Sequence, residues 1–138
     1  MNLKRFKNWS FCDMIFGIGV DIIRIPRLEK WVKNPDILRR FFNANEMAGD
    51  GERGVLAQHY AARFAAKEAF SKALGTGVVG FSLQDVYIRT EPNGKPEMVV
   101  TGTALELMDR ICGSGARVFV SLSHEKEYAV ANVVIERG

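Results

Sequence analysis

The segment Ile15–Val20 (IFGIGV) constrains the fold more than any other stretch of the chain. Phe16, Ile18 and Val20 alternate with Gly17, Gly19 and Asp21. A period of two is the mark of a strand. One face of that strand is bulky. The other carries no side chain until it ends in a carboxylate. A bare face of this kind lets a ligand approach the backbone. For Asp21 alone there is also a plainer reading, a strand-end acid capping the helix that follows.

The punctuation after this strand predicts mainly helix, then mainly strand. Pro26 opens a helix through about Lys33. Asn34-Pro35 opens a second through Phe42, and Asn43-Ala44-Asn45-Glu46 has the shape of a capping box with Asn in place of Ser or Thr. Residues 49–54 read as a loop. The longest helix is predicted over about 55–74, with Ala66, Phe70 and Leu74 as a buried stripe, Glu68, Ser71 and Lys72 on the opposite face, and Gly75 as C-cap. Residues 85–90 and 97–101 flank Pro92-Asn93-Gly94-Lys95-Pro96, a hairpin signal. A short amphipathic helix over 103–112 and two alternating strands, 117–123 and 128–136, complete the chain. Early helices and late antiparallel strands define an α+β class.

The 138 residues make one domain, large enough to bury a core without a disulfide or metal staple. With 47% hydrophobic and 25% charged residues, wholesale disorder is excluded. Cys12 and Cys112 have neither CxxC nor metal spacing and read as free thiols of a reducing cytoplasm. No apolar run reaches the ~18 residues of a membrane span. Residues 1–13 lack the apolar core and cleavage site of a signal peptide. They read as an extension outside the fold, which then occupies 14–138, with Met14 as a second candidate start.

Several motifs carry candidate chemistry. Gly75–Gly80 formally matches GxGxxG, but a helix precedes it and an extended segment follows, the reverse of the dinucleotide-binding context. It reads instead as a glycine-rich helix exit passing close to a ligand. Glu68 and Lys72 form an ordinary exposed i, i+4 pair on a lone helix. With Arg63 and Lys67 nearby, they also suit a phosphorylated ligand that needs a divalent metal. Ser121-Leu122-Ser123-His124 lacks a nucleophile elbow, so His124 reads as a phosphate or nucleotide contact and His59, in mid-helix, as structural.

The net charge is +3, and residues 22–42 hold Arg24, Arg27, Lys30, Lys33, Arg39 and Arg40 against only Glu29 and Asp36. A basic face without an RNP, KH or zinc pattern argues for an acidic protein partner rather than nucleic acid.

Three blocks together resemble holo-acyl-carrier-protein synthases, the short class of 4'-phosphopantetheinyl transferases. They are Ile15–Ile22 (IFGIGVDI), Arg63–Gly77 (RFAAKEAFSKALGTG) and Val120–Ala131 (VSLSHEKEYAVA), with Asn93-Gly94-Lys95-Pro96 as a weaker fourth. The resemblance runs from about Met14 to the C-terminus. It implies a single-copy transferase fold, a long central helix against an antiparallel sheet, and a homotrimer with active sites between subunits. The implied reaction moves 4'-phosphopantetheine from coenzyme A to a serine of apo-acyl carrier protein and releases adenosine 3',5'-bisphosphate, in support of fatty acid biosynthesis. Asp21 and Glu68 match the magnesium-binding carboxylates, and Lys72 the lysine that neutralises or protonates the departing nucleotide. Lys67, Lys72, Gly75, Gly77 and His124 are implied to contact coenzyme A. Arg27, assisted by Arg24, is implied to dock the carrier protein. Two departures stand out: Asn43 replaces the usual threonine, and Glu125 follows His124 where a small or polar residue is common.

Overall fold

A computed structural model describes residues 14–138. The expectations for the 1–13 extension and for Cys12 lie outside the described residues. Strand β1 (Ile15–Arg24) leads through a 3-10 turn (Ile25–Leu28) into helices α1 (Glu29–Val32) and α2 (Pro35–Phe41). A second 3-10 turn (Ala44–Glu46) precedes the long helix α3 (Arg53–Leu74). A third 3-10 turn (Leu83–Asp85), strands β2 (Val86–Thr90) and β3 (Pro96–Val100), helix α4 (Gly102–Cys112), and strands β4 (Arg117–His124) and β5 (Tyr128–Glu136) follow.

The sheet runs β1-β5-β4, antiparallel throughout, with β2 and β3 forming a separate two-stranded ribbon. The first and last strands of the described residues are thus neighbours, with Ile22 opposite Val130 and Gly19 opposite Val133. Helix α3 lies across the inner face of this sheet, where Ala129, Ala131, Val133 and Ile135 of β5 are fully buried. The expected α+β arrangement of a long central helix on an antiparallel sheet is what the chain adopts.

The bare face of β1 has a different occupant from the one its sequence suggests. A Cβ added at Gly17 would stand 2.1 Å from the Ala73 carbonyl oxygen, and one at Gly19 only 1.9 Å from that of Ala69. The surface made bare by glycine is filled by helix backbone, not by a ligand. Small residues on α3 complete the fit, since Ala65, Ala66 and Ala69 are fully buried. The bulky face of β1 points outward instead, leaving Ile18 69% and Val20 57% exposed. Ile22 and, across the sheet on β4, Phe119 extend this apolar outer surface.

Local signals mostly act as expected. Asn34 Oδ1 accepts hydrogen bonds from the amides of Asp36 and Ile37 and caps α2. The Asn43–Glu46 capping box forms with both of its reciprocal bonds. Helix α3 begins at Arg53, inside the predicted loop, with no side-chain cap from Glu52. Ala66, Phe70 and Leu74 are buried as the stripe predicts, but so is Ser71, whose hydroxyl donates to the Glu68 carbonyl at 2.7 Å. In the β2–β3 hairpin only Gly94 takes a positive φ, 86°, and the Gly94 amide closes the turn onto the Glu91 carbonyl. Asn93 accepts from the Lys95 amide instead of sharing the left-handed conformation. Cys112 is buried with a free thiol.

Candidate active site

The close approach of α3 to β1 determines what meets at their seam. Asp21 ends the glycine-lined face, and Lys72 lies one turn beyond Glu68 on the helix that covers it. The Lys72 ammonium donates to Asp21 Oδ1 and to the Val20 carbonyl, both at 3.1 Å. The pair is wet on one side: the Lys72 side chain is 54% exposed and that of Asp21 16%. Glu68 is half-buried beside them. Burial, and then the negative charge of Asp21, raise its carboxyl above the ordinary value, and Lys72 partly offsets the rise. Two carboxylates and one lysine, separated by some fifty residues of sequence, therefore share one partly solvated corner.

Lys67 needs correcting. It was expected at the nucleotide, but its side chain is 1% exposed and its ammonium donates to Glu46 Oε1 at 2.6 Å, where the Glu46 side chain is 0% exposed. The same ammonium donates to the Leu83 and Val86 carbonyls. With three acceptors and a side chain sealed from solvent, Lys67 holds the fold together and does not reach a ligand. Burial lowers its proton affinity and the facing carboxylate restores part of it. Glu46 is equally committed: Oε1 also accepts from the Asn43 amide and Oε2 from the Ile88 amide. His59 joins the cluster by donating from Nε2 to the Glu46 carbonyl at 2.6 Å, and is structural as expected.

Of the other expected contacts, the two glycines follow directly on α3, while His124 lines a separate cavity. Gly75 ends α3 in the left-handed conformation, φ 82°, and its amide donates to the Ser71 and Lys72 carbonyls. Gly77, φ 63°, continues an exposed exit, with open space where a Cβ would stand at either glycine. His124 closes β4 and lies 2.7 Å from the Gln58 amide nitrogen on α3. It lines a cavity of about 350 Å³ with Ile22, Ser123, Glu125, Tyr128 and Val130, which contains none of Asp21, Glu68 and Lys72. Arg24 and Arg27 are exposed at the start of the basic segment. Beyond them Trp31 stacks on Phe41 at 5.1 Å.

A second basic site was only half visible in the sequence. Arg63 lines a cavity of about 400 Å³ with Asn45, Tyr87, Ile88, Arg89 and Thr90. Its Nη1 donates to the His59 carbonyl, and its buried Nε has no hydrogen-bond partner. Sequence patterning marked Arg63 as basic, but nothing in local spacing joins it to Arg89 and Asn45. Only the fold does. A larger groove of about 610 Å³ runs beside α2 and contains none of the expected site residues.

Comparison with known proteins decides the family. The pattern of the 4'-phosphopantetheinyl transferase superfamily matches residues 17–133. The chain belongs to that superfamily. It is 44% identical over 124 residues to the holo-[acyl-carrier-protein] synthase of Treponema denticola, covering 89% of this chain and 99% of the relative. It is 46% identical over 127 residues to that of Geobacter sulfurreducens, covering 90% and 99%. Among solved structures, the Bacillus anthracis synthase in complex with CoA (3',5'-ADP) superposes with a TM-score of 0.72 at 36% identity, covering 91% of this chain and 99% of that one. The Helicobacter pylori synthase in complex with coenzyme A gives 0.71 at 33% identity, covering 86% and 99%. As a member of that superfamily, with holo-[acyl-carrier-protein] synthases among its relatives, the chain is an enzyme, a phosphopantetheinyl transferase.

Proposed function

We propose that the corner formed by Asp21, Glu68 and Lys72 transfers 4'-phosphopantetheine from coenzyme A to a serine hydroxyl of apo-acyl carrier protein, releasing adenosine 3',5'-bisphosphate. The observation that carries this reading is the meeting of two carboxylates from distant segments beside one half-exposed lysine.

The corner suits Mg²⁺. Burial first, and then the charge of Asp21, hold the Glu68 carboxyl up, and a hard cation between the two carboxylates would offset both. Among the described residues no third His, Cys, Asp or Glu joins them. That donor set is typical of a magnesium site completed by substrate phosphate oxygens and water. When bound, the ion supplies charge neutralisation at the pyrophosphate.

The chain's own groups do the rest. A new bond forms between the serine oxygen and the phosphorus that bears pantetheine, and the bond from that phosphorus to the bridging oxygen of the nucleotide breaks. The serine proton passes to a carboxylate of the corner or to water. Lys72, held only by exposed hydrogen bonds, can turn from Asp21 to the phosphate oxygens of the leaving group. The Gly75–Gly77 exit and His124 line the path of the nucleotide, and the cavity of Arg63 and Arg89 receives one of its phosphates. Arg24 and Arg27 dock the acidic carrier.

The apolar outer face of Ile18, Val20, Ile22 and Phe119 is a large surface to leave in water, and we assign it to contact between subunits of a trimer. In that assembly the carboxylate corner of one subunit and the His124 or Arg63 cavity of another form one site. Residues 14–138 carry the activity, so removing residues 1–13 leaves it unchanged. We place the enzyme in the cytoplasm, serving fatty acid synthesis; among the described residues no helix is long and apolar enough to cross a membrane.

The test is incubation with coenzyme A, Mg²⁺ and apo-acyl carrier protein, read by intact mass. A gain of about 340 Da on the carrier is expected. No gain on a carrier that an authentic synthase does modify would refute the reading.

A further inference from the structure

On α3, Lys67 stands one turn after Arg63 and directly before Glu68, and three features of its pair with Glu46 bear on the Arg63 cavity. First, Glu46 is walled in by that site: Ile88, whose amide donates to Glu46 Oε2, and Asn45, its chain neighbour, both line the cavity. Second, Glu46 is the leading charge felt by Arg63. Third, Arg63 nevertheless makes no hydrogen bond to that carboxylate, and its Nε stays buried and unpartnered. Lys67 explains the third observation. Sitting one helical turn beyond Arg63 on the same face of α3, it supplies the cation that Glu46 pairs with, at 2.6 Å from Oε1, while the Asn43 and Ile88 amides donate to Oε1 and Oε2.

We propose that Lys67 is a positioning residue: by neutralising Glu46 it leaves the Arg63 guanidinium unclaimed for a phosphate of the nucleotide substrate. Without Lys67 the dry carboxylate would have one cation within reach, and an unpaired buried charge draws any partner it can find. Arg63 would turn inward, and the cavity would lose its deepest positive group. This inference rests on the reading of the cavity as a phosphate site and assigns no contact between Lys67 and substrate.

The experiment measures the KM for coenzyme A, kcat and thermal midpoint for four proteins: the wild type, Lys67→Met, the double variant Lys67→Met/Glu46→Gln, and Arg63→Met. Lys67→Met is expected to raise the KM by about tenfold or more with kcat changed by less than about threefold, the loss of one charge-assisted hydrogen bond to phosphate. The double variant, with no carboxylate to recruit Arg63, is expected to return the KM to within about threefold of wild type. If Lys67→Met does not fold, Lys67→Gln replaces it, since the amide keeps hydrogen bonds to the Leu83 and Val86 carbonyls while leaving Glu46 charged. A lowered thermal midpoint with an unmoved KM, or a KM that stays high in the double variant, overturns the proposal. The Arg63→Met control separates the two levels. If it leaves the KM unmoved, the phosphate reading of the cavity fails. If it raises the KM while the Lys67 variants do not, only the positioning role fails.

Discussion

Lys67 and Lys72 stand five residues apart on one helix, about 140° around its axis, and each faces a carboxylate. The Lys67–Glu46 pair is dry, with side chains 1% and 0% exposed and a hydrogen bond on each carboxylate oxygen. The Lys72–Asp21 pair is half wet, at 54% and 16%, and leaves Lys72 free to move. The same chemical pair is thus a clamp in one setting and a movable contact in the other. What separates them is the packing around α3. The 3-10 turn and β2 seal one side, while the seam with β1 opens to solvent where the glycines end. A buried pair resists loss of either partner, because the survivor is stranded without solvation; an exposed pair does not.

This comparison can be broken at several points. The largest expected effect is on the dry pair: Lys67→Met should lower unfolding free energy by about 3–5 kcal/mol, measured by urea denaturation. A loss below about 1 kcal/mol would mean that Glu46 finds water. Next is the chemistry of the wet corner. Glu68→Gln should reduce transfer by about 10²–10³-fold while the thermal midpoint stays near that of wild type. A variant of near-normal activity that no longer needs Mg²⁺ would contradict the metal assignment. Third, Lys72→Ala should change stability by less than about 1 kcal/mol yet slow transfer at saturating substrate. Equal stability losses at Lys72 and Lys67 would erase the distinction between the pairs.

The smallest expected effect is a pH dependence at the edge of the dry cluster. Burial, chiefly, lowers the proton affinity of His59 below its ordinary 6.5. The unfolded chain then binds the proton more readily than the folded one. Stability contributed by the neutral ring is present above pH 6.5 and is lost as pH falls through the lower, folded value. His59→Gln should flatten the stability profile on the acid side of pH 6.5, and an unchanged slope there would show that other groups set it.

The sequence showed the wet corner more clearly than the dry one, for a physical reason. Asp21 is marked by the period-two pattern of its own strand, and Glu68 and Lys72 by helical spacing, so local rules plus the family resemblance suffice to nominate them. The position of Lys67 depends on a partner 21 residues away in sequence. The Asn43–Glu46 box was readable as a cap, but a capping glutamate with a spare lone pair looks the same whether or not a lysine arrives. β1 teaches a similar lesson. Its alternation was evident, but the bare face is equally suited to a ligand and to a helix, and only the alanines of α3, read together with it, favour the helix. The cavity around Arg63 and Arg89 needed the fold itself, because no short-range pattern brings those arginines together.

The sheet order has a consequence for how the protein is made. Among the described residues, β5, the last strand in sequence, is the centre of the three-stranded sheet, and β1, the first, pairs with β5 alone. A chain emerging from the ribosome therefore carries β1 with its sheet edge unpaired until residues 128–136 have been released. The sheet closes in one late, long-range step, the kind that loop-closure entropy makes slow. Until then the glycine-lined face can shelter only against α3. A ribosome stalled before β5 should hold a chain with a formed helix and the β2–β3 ribbon but without the three-stranded sheet, and the same order makes the nine-residue β5 indispensable to β1.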